Sequence, residues 1–70
     1  MKSIINSQGI RVEVGKWYYF YNLMSGAPTE VRQVTELIRD ANGGCTTCRT
    51  RGTFEWDTPT KWVNWIMKEL

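Results

Sequence analysis

The sequence predicts a mainly β domain of about four to five antiparallel strands, closed by a C-terminal α-helix over residues 58–70. Three observations predict it. Short segments alternate apolar and polar residues at period two, as half-buried strands do. Clusters of Gly, Asn, Ser and Pro punctuate them. Thr58 is a natural N-cap and Pro59 suits a first helical position, after which no breaker interrupts Lys61 to Leu70. Seventy residues leave room for one core, so residues 1–70 are read as a single domain.

Taken in order, residues 1–9 read as a loosely organised lead-in with a turn at Asn6-Ser7-Gln8-Gly9. Ile10 to Val14 alternates strictly, the signature of a half-buried strand. Gly15-Lys16 interrupts it. Trp17-Tyr18-Tyr19-Phe20-Tyr21 favours a strand with aromatic residues on both faces. One face can enter a core; the other is either covered or left as a contact surface. Ser25-Gly26-Ala27-Pro28 is a loop.

The next segment fits two templates. Val31, Val34, Leu37, Ile38 and Ala41 fall within about 120° of a helical wheel. Pro28-Thr29 and Asn42-Gly43-Gly44 would bound that helix, giving an α+β alternative with residues 29–41 helical. Against it, Asp40-Ala41-Asn42-Gly43 is hairpin-turn chemistry with β-branched residues on both sides. The hairpin, pairing Val31 to Arg39 with Cys45 to Arg51, is the reading adopted. Cys45 to Arg51 is Thr-rich and polar, which suits an exposed or edge strand. After Arg51-Gly52, alternation resumes in Thr53-Phe54-Glu55-Trp56-Asp57. In the expected terminal helix, Trp62, Val63, Trp65, Ile66, Met67 and Leu70 cover about 200° of the wheel, whereas packing on one core needs little more than 100°. Such a helix lies in a groove or leaves surface for a partner.

Val14-Gly15-Lys16-Trp17-Tyr18-Tyr19-Phe20, a strand around Val34 to Ile38, a hairpin and Thr53-Phe54-Glu55-Trp56 together resemble a small SH3-like barrel of the Tudor or KOW type. The resemblance covers residues 10–57. It implies a module that binds peptide or nucleic acid across exposed aromatics, with the C-terminal helix as a departure from the minimal barrel. In size and aromatic content the chain is also similar to compact proteins of bacteriophages and other mobile elements.

Composition narrows the chemistry. Nine Lys plus Arg against seven Asp plus Glu give a net charge of +2, mildly basic and short of a dedicated nucleic-acid footprint. The longest apolar run, Trp17 to Tyr21, is far below the roughly 20 residues a bilayer requires. Met1 to Ile10 lacks a signal-peptide core. A cytoplasmic protein with reduced thiols is expected, in the host cytoplasm if phage-encoded.

The chain has no histidine, which removes the commonest general base and zinc ligand together. Ser3, Ser7 and Ser25 lack an activating partner. Glu55 and Asp57 share an expected strand face and could mimic a carboxylate pair, but solvated alternation on an outward face is strongly favoured. Gly43-Gly44 lacks the Lys-Ser or Lys-Thr of a phosphate loop. No enzymatic activity and no cofactor are expected. Cys45-Thr46-Thr47-Cys48 supplies two thiols where zinc needs four ligands. An incidental or structural pair is therefore favoured over a metal site shared across a dimer or a redox site.

Four Trp, three Tyr and two Phe are a large aromatic load, since each ring buries roughly 150–250 Å². The leading expectation is a protein-binding module that docks on a host protein through Trp17, Tyr19, Tyr21, Trp62, Trp65 and Met67, a homodimer being another way to cover the same surface. The alternative is single-stranded nucleic-acid binding through Arg49, Arg51, Lys61 and Arg32 beside stacking rings. A structural or virion component is the third reading.

Overall fold

In the computed structural model, which describes residues 2–54 and 58–70, β3 carries the aromatic run and organises the rest. The described elements are β1 Ser3–Ile5, β2 Arg11–Glu13, β3 Trp17–Asn22, β4 Ala27–Ile38, β5 Thr47–Gly52, β6 Thr60–Trp62, a 3-10 turn Val63–Trp65, and β7 Ile66–Glu69. β1 and β2 pair as a hairpin. The other strands make a curled antiparallel sheet in the order β6-β5-β4-β3-β7. Strands β3 to β6 run as a meander, and β7 returns to pair with β3. This mainly β architecture is compatible with an SH3-like barrel.

Alternation along β3 buries Tyr18 and Phe20 completely and leaves Trp17, Tyr19 and Tyr21 half-buried on the other side. The two rings join Val12, Val34, Leu37, Cys48, Val63 and Ile66 in one core, flanked by Ile4, Ile10, Cys45 and Trp65. Burying one large apolar side chain stabilises the fold by about 1.5–3 kcal/mol.

The expected C-terminal helix is not formed. The Pro59 carbonyl accepts hydrogen bonds from the Thr50 amide (3.1 Å) and the Thr50 hydroxyl (3.0 Å). β6 then pairs with β5 through Thr47↔Trp62, Cys48↔Lys61 and Arg49↔Thr60. Thr60, Val63 and Ile66 are β-branched, and Trp62 and Trp65 are aromatic; such residues lose side-chain freedom in a helix and suit a pleated surface. The 3-10 turn places Val63 and Ile66 both inward, because residues three apart in such a turn lie on the same side. That spacing, not a helix, produced the helical stripe.

The hairpin of residues 31–39 with 45–51 is formed, and the helical alternative over 29–41 is not. Register slips between Val34↔Thr50 and Glu36↔Arg49, leaving Thr35 as the extra residue of a β-bulge. Inward residues on β4 consequently run Arg32, Val34, Leu37, and the three-residue step imitates helical periodicity. In the turn, Asp40 Oδ1 accepts from the amides of Asn42 (3.0 Å) and Gly44 (2.9 Å), while Gly43 takes φ +84°, a conformation glycine reaches without strain.

Two further expectations change. β5 lies between β4 and β6, so it is an interior strand and not an edge. Its inward residues Cys48 and Thr50 are fully buried. Thr53 and Phe54 bend away from any strand, with Phe54 exposed; Glu55, Trp56 and Asp57 lie outside the described residues.

Among the described residues of the lead-in, Ser3–Ile5 form a strand. β1 pairs with β2 through Ser3↔Glu13, Ile4↔Val12 and Ile5↔Arg11. Asn6 is buried at the hairpin end. Its Nδ2 donates to the carbonyls of Val63 (2.9 Å) and Ile66 (3.0 Å), and its Oδ1 accepts from the amides of Gln8 (2.9 Å) and Ile10 (3.0 Å). Tyr18 adds a second tie: its hydroxyl accepts from the Glu13 amide (2.7 Å) and donates to the Arg11 carbonyl (3.1 Å). Residues 3–13 are thereby clasped to the 3-10 turn and to β3.

Candidate functional site

Directly opposed residues in an antiparallel pair project from the same face. Register therefore assigns each candidate side chain to one side of the sheet. Tyr18 and Phe20 define the inner face. Trp17 is in line with Gln33 and Arg51, and Tyr19 with Val31 and Lys68. Glu36, Arg49 and Thr60 form another row, and Ile38, Thr47 and Trp62 a further one. All of these are on the outer face. The outer face thus brings together Trp17, Tyr19, Trp62, Arg49 and Arg51.

On this face Trp62 is 50% exposed, and Arg49 and Arg51 are exposed. Arg49 reaches Glu36 at 3.6 Å, an exposed pair worth about 0–1 kcal/mol. The Lys68 ammonium sits 5.0 Å above the centre of the Tyr19 ring, within cation–π range. Lys68 escaped the sequence reading because, on a helix, nothing would have aligned it with Tyr19.

The other candidates lie elsewhere. Arg32 is buried, with Nε donating to Thr50 Oγ1 at 2.7 Å. It is a structural group on the inner face and is not available to an outer ligand. Lys61 is opposite Cys48 and hence on the inner side, where its Nζ pairs with Glu30 Oε1 at 3.1 Å. Met67 is the extra residue in a bulge between Phe20↔Ile66 and Tyr19↔Lys68, and is 37% exposed. Nucleic-acid candidates named from sequence are thus divided: Arg49 and Arg51 share a face, whereas Arg32 and Lys61 do not join them.

Tyr21 and Trp65 line a second feature, an open groove of about 210 Å³ shared with Leu23, Met24, Glu30 and Lys61. Leu23 and Met24 stand at the tip of the β3–β4 hairpin, where Asn22 Oδ1 accepts from the Met24 amide (2.8 Å) and the Gly26 amide donates to the Asn22 carbonyl (2.7 Å). These side chains are 68% and 96% exposed. They were missed because the loop was expected at Ser25-Gly26-Ala27-Pro28, whereas the turn spans residues 23–26 and Ala27 and Pro28 already belong to β4. The sequence signal was two large apolar residues directly before Ser25-Gly26, where turn residues are usually polar.

The thiols are free, Cys45 half-buried and Cys48 fully buried. Burial pushes the Cys48 thiol up to about 12, the nearby Cys45 adding to it, and burial raises Cys45 as well. Thiolate is the reactive and metal-binding form, so both sites disfavour it. Among the described residues, no group of three or more His, Cys, Asp or Glu is placed to hold a metal ion. Nor, among them, is any helix long and apolar enough to cross a membrane. No protein-family model, curated protein or solved structure matches the chain.

Proposed function

We propose that the protein is a non-enzymatic protein-binding module, with the groove between the β3–β4 hairpin tip and the 3-10 turn as its docking site. The observation that supports this reading is the apolar lip: exposed Leu23 and Met24 beside half-buried Tyr21 and Trp65. Met adapts its shape to a partner, and Tyr and Trp are the residues that anchor interfaces most often. The Lys61–Glu30 pair gives the same groove a polar contact that can orient an incoming chain. The occupant is an apolar segment of another protein. A Tudor- or KOW-type barrel belongs to this proposal, as does an origin as a bacteriophage accessory protein that binds and inhibits a host protein in the host cytoplasm.

The test is affinity capture from a bacterial host lysate with the wild-type chain and with a Leu23→Glu/Met24→Glu variant. Both positions are solvent-facing, so circular dichroism should show an unchanged fold. The expected result is one or more proteins retained by the wild type and lost with the variant. Retention of the same proteins by the variant, or no specific capture by the wild type, contradicts the reading.

A further inference from the structure

We infer that the outer face of the five-stranded sheet is a second, separate binding surface, and that its ligand is single-stranded nucleic acid. The groove lies at the β3–β4 hairpin end, with its residues Glu30 and Lys61 on the other side of the sheet. Tyr21, which also lines it, alternates onto the outer side but beyond the rows that carry Arg49 and Arg51. Three properties of the outer face carry the inference.

The first is charge. Arg49, Arg51 and Lys68 present three cations on this face against the single carboxylate of Glu36, counted among the described residues. The Glu36 contact is long and exposed, at 3.6 Å, so a phosphate can replace it at little cost. The second is the interleaving of rings with those cations. Trp17 is in line with Arg51 across β4, two strand spacings or about 10 Å away. Trp62 lies on β6, beside the strand that carries Arg49 and Arg51. A backbone tracking the cations therefore passes rings on either side, the combination that single strands use. The third is the polar fill between these groups, where Gln33, Thr47 and Thr60 offer hydrogen bonds. The face's aliphatic residues Val31 and Ile38 are half-buried in separate rows with Gln33 and Glu36 between them, not joined in the continuous apolar surface that a protein partner's core would need.

A duplex does not suit this face, because its bases are stacked and the rings could reach only their edges. Trp62, half exposed, and the partly open Trp17 can stack on a base that is already unpaired. Lys68, held over Tyr19, then serves as a phosphate contact rather than leaving that ring free. DNA and RNA present the same phosphates and base faces, so the inference covers both.

The experiment is a fluorescence anisotropy titration of the whole protein against short labelled oligothymidylate, oligouridylate and a duplex, over a series of salt concentrations. The expected result is binding of either single strand at low salt, with log affinity falling against log salt at a slope of about −2, as three neutralised phosphates require. Arg49→Ala/Arg51→Ala should reduce that slope to about −0.7. Trp62→Ala should weaken binding between about 5-fold and about 100-fold and leave the slope unchanged. Lys61→Ala, on the other side, should change neither, and Leu23→Glu/Met24→Glu should leave nucleic-acid binding intact even if protein capture is lost. No binding of either single strand at low salt overturns the inference. So does preference for duplex, or an undiminished affinity in Trp62→Ala, which would reduce the face to a generic polyanion patch.

Discussion

Replacing Asn6 by Ala removes a side chain that makes four hydrogen bonds while only 7% exposed. Two of the partners, the carbonyls of Val63 and Ile66, flank the 3-10 turn; the other two are amides of the β1–β2 hairpin. At about 1 kcal/mol net per bond the four together contribute about 4 kcal/mol. Gln8 lies at the exposed hairpin tip and regains water when its partner is deleted, which brings the expected loss to about 2–3 kcal/mol. For a domain of this size that is a large share of its stability, and it corresponds to a fall in melting temperature of about 10–20 °C. Asn6→Asp should be worse at neutral pH, since it loses the donor and sets a carboxylate against two carbonyl oxygens. Its folded-state pKa would be raised, so stability should be regained as pH falls and the introduced group protonates. Urea denaturation followed by tryptophan fluorescence, at neutral and acidic pH, gives both quantities. A loss below about 0.5 kcal/mol for Asn6→Ala, within the range of ordinary surface substitutions, would refute the idea that this residue clasps the hairpin to the turn.

Tyr18→Phe keeps the buried ring and removes the hydroxyl shared between Glu13 N and Arg11 O; a loss of about 1–3 kcal/mol is expected in the same denaturation assay. Gly43→Ala meets no atom within 4 Å but must hold φ +84°, so about 1 kcal/mol should be lost, from the backbone conformation alone. Cys48 should resist thiol reagents at neutral pH until the protein unfolds, and Cys45 should react first, as mass spectrometry of timed labelling would show. The Cys48 pKa is raised on folding, from 9.0 to about 12. Its contribution to stability is therefore complete below pH 9 and falls as pH rises towards 12, at about 1.4 kcal/mol per pH unit. Cys48→Ala should flatten that part of the alkaline denaturation profile.

Much of the sheet was legible because period-two alternation survives wherever strands are regular. Ile10 to Val14 and Trp17 to Tyr21 announced β2 and β3, and Asp40 to Gly43 announced the hairpin turn. The misreadings share a physical origin. At Thr35 a bulge, and at Val63–Trp65 a 3-10 turn, insert a three-residue step between buried positions, and a step of three is what a helix also produces. Intrinsic preference favoured the strand at Thr60 to Ile66, but Thr58-Pro59 looked like a cap; pairing with β5 and β3, which no local window contains, decided it. The over-wide apolar arc was the visible warning. A helix on one core does not need 200° of apolar surface, whereas an extended chain turning a corner presents apolar groups on several sides. Asn6 was unreadable for a related reason, since its partners are 57 and 60 residues away. Of the candidate site, the rings and Arg49 and Arg51 were identifiable by type, but only the register shows which of them share a face with Lys68.

Both proposed surfaces rest on residues 60–69 forming two strands joined by a 3-10 turn and not a helix. β7 sets Lys68 over Tyr19, and the 3-10 turn sets Trp65 beside Tyr21 and Met24. Nuclear Overhauser contacts in the folded protein test this directly. Cross-strand contacts linking Phe20 to Ile66, Tyr19 to Lys68 and Arg49 to Thr60 are predicted. A continuous series of contacts between residues three apart from Thr60 to Glu69, with those cross-strand contacts missing, would mean a terminal helix and would contradict the account.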